Sequence, residues 1–274
     1  MNVVKVVFLG GGKREEILKE QLSKTYEIVT INNADDLIRK KGEIRLGQVF
    51  IAPVSGTDQE GLIRESISLS LIEAIGYMSQ GSTVLIGAAN QKIKDQANRF
   101  GVRLVELGQL NELAWLNAIP TAEGTISTLM QKLETTIYGA RVLITGAGRV
   151  ALTLAIRLKM LGANVLLVTK NKEEVARAKA LLIPATRFGC TFGEYPILIN
   201  TIPVAIIDHE FLTNNKVSLY VELASTSGLV DDDLDNDIEY LVLPGIPGKY
   251  APKEAGIYLT QIVPELIENI FPRD

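Results

Sequence analysis

The stretch Arg141-Val142-Leu143-Ile144-Thr145-Gly146-Ala147-Gly148-Arg149-Val150-Ala151 decides how this chain folds. Five strand-forming residues run into two glycines, and a helical stretch, Arg149–Leu161, opens directly after them. Gly146 permits a tight turn. Gly148 carries no side chain, so an anion can approach the backbone. Ala151 takes the third small position, where helix packs on strand. The free amides and the dipole at the helix start, with Arg149 and Val150 among them, suit a pyrophosphate. The next strand, Asn164–Thr169, falls in register. Strand, turn, helix and strand together predict a Rossmann domain that binds a dinucleotide.

The second strand bears on which dinucleotide. It ends in Thr169-Lys170-Asn171-Lys172, and no carboxylate stands there until Glu173. A carboxylate at that point would accept from the ribose hydroxyl of NAD and repel the 2′-phosphate of NADP. Thr169, Lys170 and Lys172 attract a phosphate instead, so the expected cofactor is NADP rather than NAD. Thr201, Ile202 and Pro203 follow the strand Ile197–Asn200, at whose carboxyl end the nicotinamide half is expected.

Outward from this domain, short β-rich runs alternate with helical ones, the pattern of parallel sheets covered by helices. Strands are expected at Val4–Leu9, Glu27–Ile31, Val49–Ala52, Thr83–Ile86 and Arg103–Val105. Helices are expected at Lys13–Lys24, Gln59–Gln80 and Gln91–Phe100. This part reads as a flavodoxin-like unit. A helix near Gly124–Ile137 has Ile126, Leu129, Met130, Leu133 and Ile137 on one face, with Pro120 and Thr121 preceding it. The second series continues with a helix at Lys172–Leu182 and strands at Ile197–Asn200, Ser218–Leu223 and Glu239–Leu243. A last helix, Lys253–Ile270, is kinked by Pro264.

The expected fold class is α/β, with two doubly wound parallel-sheet domains and a cleft between them. Residues 1–119 form the flavodoxin-like domain, 120–137 the linking helix and 138–248 the Rossmann domain. Residues 249–274 form a closing helix that returns to the first domain.

The chain has 274 residues, enough for two cores, with 47% hydrophobic and 22% charged residues, ordinary for a globular protein. A net charge of −4 without a basic stripe argues against nucleic acid or an anionic membrane. A single cysteine, Cys190, cannot form an internal disulfide. One cysteine and one histidine, His209, argue against a zinc site. No secretion signal or apolar span is evident, so the cytoplasm is the expected compartment.

Several segments stand where ligands lie in such sheets. Ser55 and Thr57, after the strand Val49–Ala52, offer hydroxyls and amides to a carboxylate. Gly10-Gly11-Gly12 is a second glycine turn, an anion nest or only a turn. Thr121, Glu123, Gly124 and Thr125 start the linking helix; Thr121 can cap it and Glu123 suits its dipole. Those roles suffice structurally, and facing an anionic substrate is the alternative. Leu243–Lys253 reads as a rigid Pro-Gly crossing. Lys253 opposes the dipole of the last helix, so it either binds a substrate carboxylate or points to solvent. His209 reads as a surface residue of a short helix near Asp208–Leu212. The aspartates 231, 232, 233, 235 and 237 read as a solvated loop. No residue stands out as a catalytic acid or base.

These motifs recur in one family. Ala52-Pro53-Val54-Ser55, Ile119-Pro120-Thr121-Ala122-Glu123-Gly124-Thr125, the Gly146/Gly148 turn, Asn200-Thr201-Ile202-Pro203, Glu222-Leu223-Ala224-Ser225 and Pro244–Gly256 resemble the A subunit of dipicolinate synthase, in the same order along nearly the whole chain. The resemblance implies NADP-dependent oxidation of a dihydrodipicolinate-type heterocycle, a small dicarboxylate, to dipicolinate. It also implies a role in dipicolinate biosynthesis for sporulation in Gram-positive bacteria. The partner it implies is the smaller, flavoprotein-like B subunit. A homo-oligomer is left open. The chain departs from the family's pattern in three places. Thr226-Ser227-Gly228-Leu229 replaces an Arg-Pro-Gly-Gly segment, removing an arginine that could bind a carboxylate. Gly12-Lys13-Arg14 replaces Asp followed by Arg, and Ala151 is the third fingerprint position. The altered loop keeps open a catalytically weak, nucleotide-binding regulatory or assembly subunit. A methyltransferase built on the same turn fits the two-domain arrangement poorly.

Overall fold

The computed structural model describes residues 4–64, 66, 68–189, 191–231, 234 and 237–272. The chain divides into two compact units, residues 1–117 with 251–274 and residues 118–250. The elements of the first run β1 Lys5–Leu9, α1 Lys13–Leu22, β2 Glu27–Ile31, α2 Ala34–Arg39, α3 Lys41–Leu46, β3 Val49–Ile51, α4 Leu71–Ile75, β4 Thr83–Ile86, α5 Gln91–Phe100 and β5 Arg103–Glu106. Helix α6, Asn111–Lys132, contains the division between the units. The second unit continues with β6 Arg141–Thr145, α7 Arg149–Met160, β7 Asn164–Thr169, α8 Lys172–Ala180, β8 Ala185–Arg187, β9 Ile197–Asn200, α9 His209–Asn214, β10 Leu219–Glu222, β11 Glu239–Val242 and α10 Ile246–Tyr250. Helix α11, Pro252–Ile270, belongs to the first unit.

The first sheet has the order β2-β1-β3-β4-β5 and every pairing is parallel. Strand pleating sends alternate residues to opposite faces. Val6 and Phe8 meet Leu18, Leu22, Leu259, Ile262 and Val263, so α1 and α11 cover one side. Val7 and Leu9 meet Leu37, Ile44, Ala74 and Ile93 on the other side. The second sheet has the order β11-β10-β9-β6-β7-β8, again all parallel. Val142 and Ile144 pack with Ala151, Leu154, Ala155 and Leu158 of α7 and with Ala122 and Leu129 of α6. Leu143 and Leu198 pack with Phe211, Leu212 and Tyr220. Both are doubly wound sheets, and the strand order reverses between β1 and β3 in one and between β6 and β9 in the other. Ligands bind such sheets at those reversal points, beyond the carboxyl ends of the strands.

Four expectations need correction. The long helix expected over Gln59–Gln80 is only α4. Asp58 accepts from the amides of Glu60 (2.9 Å) and Leu62 (2.8 Å), and Gly61 lies at φ +83°, so a turn replaces the helix start. The linking helix begins at Asn111, with Pro120 inside it rather than before it. Proline removes one helical bond, at a cost of about 3 kcal/mol. The buried face Leu113, Ala118, Ala122, Ile126 and Leu129 outweighs that cost. Thr121 is therefore mid-helix and no cap, and the dipole argument for Glu123 lapses. Part of the expected rigid crossing before α11 is the short helix α10, with Pro247 in its first turn. The sequence reading also omitted α2, α3 and β8, each six residues or fewer.

Among the described residues, no helix is long and apolar enough to cross a membrane. No cluster of His, Cys, Asp and Glu among them could hold a metal ion. Cys190 and the aspartates 232, 233 and 235 lie outside the described residues.

Candidate functional site

The carboxyl ends of β6 and β9 flank the reversal point of the second sheet. Gly146 leaves β6 at φ +101°, and its amide donates to the Val168 carbonyl at 2.8 Å. A Cβ there would lie 2.4 Å from Thr201 Oγ1. Gly148 is the N-cap of α7 at an ordinary φ of −80°, and a Cβ added to it would meet nothing within 4 Å. The two glycines therefore do different jobs: one makes the turn fit the protein, and the other leaves a space the protein does not fill. Arg149 and Val150 begin α7 and are half-buried, whereas Ala151 is wholly buried against the sheet. An open cradle at the amino end of a twelve-residue helix fits the pyrophosphate of a dinucleotide.

Across the reversal point, the Thr201 hydroxyl and amide both donate to the Thr145 carbonyl, at 2.7 and 3.1 Å. Thr201 and Ile202 are half-buried and Pro203 is exposed. The loop is held from beneath by Asn200, which has no solvent exposure. Asn200 Oδ1 accepts from the Thr145 hydroxyl (2.6 Å) and the Ile202 amide (3.0 Å), and its Nδ2 donates to Glu222 Oε1 at 2.9 Å.

Glu222, at the end of β10, is only 2% exposed. It accepts from Asn200, from the Tyr220 hydroxyl (2.7 Å) and from the amides of Ala224 (2.9 Å) and Gly228 (2.8 Å). Four donors satisfy a buried carboxylate without any cation. Burial first, and the bond to Glu222 second, push the Tyr220 phenol far above its ordinary value, so it stays a donor at every physiological pH. The altered loop at Thr226–Leu229 is thereby pinned: Gly228 bonds to Glu222, and the Leu229 amide bonds to Ser227 Oγ at 3.1 Å.

At the end of β7, Thr169 is buried while Lys170 and Lys172 are exposed. The sequence reading placed no carboxylate here before Glu173, yet the structure brings one. The Thr169 hydroxyl donates to Glu174 Oε2. Arg177 lies 3.9 Å from Glu174 Oε1 and donates to the Ala147 carbonyl at 2.9 Å. Asn171 caps α8, accepting from the Glu173 amide, which puts Glu174 in the third helical position. A side chain there reaches back over the helix start. That offset from an Asn cap was the signal in the sequence, and it went unread.

In the first unit, Ser55 Oγ is shielded from solvent and has no hydrogen-bond partner among the described residues. The Thr57 hydroxyl donates to the Asp58 carbonyl. Glu15, 2% exposed, accepts from the amides of Gly12 and Val54, both at 3.0 Å. It thus joins the loops after β1 and β3 at that sheet's reversal point. Neither Glu15 nor Glu222 was singled out as a functional carboxylate from sequence. Lys253 is exposed in the first turn of α11.

In the second unit, Thr125 is wholly buried and its hydroxyl donates to the Thr121 carbonyl at 2.8 Å. A Cβ on Gly124 would lie 2.3 Å from Ile246 Cγ2, so that glycine lets α10 approach α6. Glu123 is exposed and lies 3.9 Å from Arg157. His209 is exposed at the start of α9, which Asp208 caps through the Phe211 amide.

Residues 5–108 match the family described as the N-terminal domain of the dipicolinate synthase A subunit. The dipicolinate synthase A subunit of Bacillus subtilis is 28% identical over 287 residues, an alignment covering 97% of each chain. The chain is thus similar to dipicolinate synthase A subunits, over residues 5–108 by the family match and along nearly its whole length by the Bacillus subtilis relative. The solved dipicolinate synthase A subunit of Bacillus halodurans superposes with a TM-score of 0.83 at 25% identity, covering 96% of this chain and 97% of that one. The D-lactate dehydrogenase of Escherichia coli shares the fold at 13% identity, with a TM-score of 0.57 and 97% and 96% of the two chains covered.

Proposed function

We propose that this protein is an NAD(P)-dependent oxidoreductase that prefers NADP and oxidises a dihydrodipicolinate-type heterocycle to dipicolinate. The observation that carries this reading is the pair Gly146 and Gly148, an enforced turn followed by an open cradle at a helix start. Gly146, Gly148, Arg149, Val150 and Ala151 hold the pyrophosphate. Thr169, Lys170 and Lys172 face the adenosine ribose, and Thr201, Ile202 and Pro203 face the nicotinamide. When bound, the nicotinamide accepts a hydride. The dihydro ring loses that hydride and one proton, and aromatisation drives the change. Ser55, Thr57 and Lys253, all in the first unit, remain the residues assigned to the substrate's carboxylates; Thr125 is wholly buried and Glu123 is an anion, so Thr121, Glu123, Gly124 and Thr125 are not among them. The unpartnered hydroxyl of Ser55 is the best supported of these. A homologue named for one of the enzyme's subunits supports a second one, the flavoprotein-like B subunit, and a soluble cytoplasmic assembly is the reading adopted.

The test is formation of reduced nucleotide from a dihydrodipicolinate mixture supplied with NADP, with and without the B subunit. Turnover abolished by Thr201→Pro or Gly148→Val supports the proposal. One observation favours a second reading, a nucleotide-binding subunit with little catalysis: the loop Ala224–Leu229 carries no cation for a substrate carboxylate. Tight nucleotide binding without turnover in either preparation would establish that reading instead.

A further inference from the structure

We infer that Glu174 sets how strongly the second unit discriminates NADP from NAD, and that it keeps NAD admissible. The inference rests on the reading of this unit as a dinucleotide-binding domain. Strand β7 lies directly beside β6, so its carboxyl end is where an adenosine ribose reaches in a sheet of this order. That end presents both signs of charge. Lys170 and Lys172 are exposed on flexible stems, with Lys170 Nζ 6.0 Å from the centre of the Phe188 ring. The Glu174 carboxylate is fixed, because the Thr169 hydroxyl donates to it and its side chain is 29% exposed.

Arg177 strengthens the placement. It stands 3.9 Å from Glu174 and also donates to the Ala147 carbonyl, so one side chain links the carboxylate to the pyrophosphate turn. A fixed anionic acceptor at this position suits a ribose diol and opposes a 2′-phosphate carrying about two negative charges. The lysines favour that phosphate. The outcome is a site whose cations attract NADP and whose carboxylate limits the attraction, so both nucleotides bind. Glu174 acts here on specificity and takes no part in the chemical step.

The experiment measures dissociation constants of NADP and NAD for the full chain and for Glu174→Gln. Glutamine has the same shape and still accepts from Thr169, so only the charge is lost. The ratio of NADP to NAD affinity is expected to rise about tenfold. Glu174→Lys, which adds a cation at a partly exposed position, is expected to raise it further, and Lys170→Ala to lower it. A ratio in Glu174→Gln within about twofold of the parent, or a lower one, overturns the inference while leaving dinucleotide binding intact. Failure of the parent chain to bind either nucleotide overturns both.

Discussion

Gly146 and Gly148 are two residues apart, yet substitution separates them cleanly. Gly146→Ala forces a side chain onto φ +101° and to within 2.4 Å of Thr201 Oγ1. The expected loss of stability is about 2–3 kcal/mol, read from chemical denaturation. Gly148→Ala asks for nothing unusual, since its φ is −80° and the added carbon meets no protein atom within 4 Å. Its stability should stay within about 0.5 kcal/mol of the parent, while dinucleotide affinity falls at least about tenfold. Equal stability losses in the two variants, with nucleotide affinity retained at Gly148→Ala, would contradict the assignment of the cradle. The sequence made both glycines visible. It did not make visible which one the protein needs for itself, because that depends on Thr201, fifty-five residues downstream of Gly146.

At the scale of elements, the strands were the most legible part of the chain. Strands β2, β4, β6, β7 and β9 stand at their expected bounds, because buried parallel strands are short apolar runs between turn signals. Helices failed where long-range packing decided. Pro120 looked like a boundary, but a buried face on both sides of it carries α6 through. The helix expected to start at Gln59 fails for a local reason: Asp58 captures amides the helix start would have left free. Loops at the strand ends are held by carboxylates: Glu15 after β1 and β3, Glu222 after β9 and β10, and Glu106 between β5 and the start of α5. Glu106 accepts from the Ala89 amide at 2.8 Å and pairs with Lys94 at 3.0 Å. The Ala89 bond first, and Lys94 after it, hold its carboxyl below the ordinary value of 4.5. The ionised form is thus favoured by folding. Its contribution is present above pH 4.5 and is lost as pH falls through the lowered value. Glu106→Gln keeps an acceptor for Ala89 and loses the ion pair. It should be about 0.5–1 kcal/mol less stable than the parent at pH 7, and the gap should close as pH falls through the lowered value. A gap that persists unchanged in acid would show that the charge is not what matters.

The whole molecule has two sheets with separate cores, and every residue assigned to the dinucleotide lies in one of them, between Gly146 and Pro203. That asymmetry gives the nucleotide an unequal effect on the two units. A ligand that binds only the folded form stabilises it by RT ln(1 + [L]/Kd), about 2.7 kcal/mol at a hundred times Kd. The amides that report on this are those whose exchange requires the bound unit to open. Saturation with NADP should therefore slow exchange in β6, β7 and β9 and at the start of α7 by up to about a hundredfold. Exchange in β1, β3 and β4 depends on the core around Val7, Phe50 and Val84, which no assigned nucleotide contact touches, and should change little. Slowing confined to the first unit would place the nucleotide at the other reversal point, under Gly10–Gly12 and Ser55. Slowing of equal size in both units would mean that they open as one, and the separation of cores read from the packing would not describe how the protein unfolds.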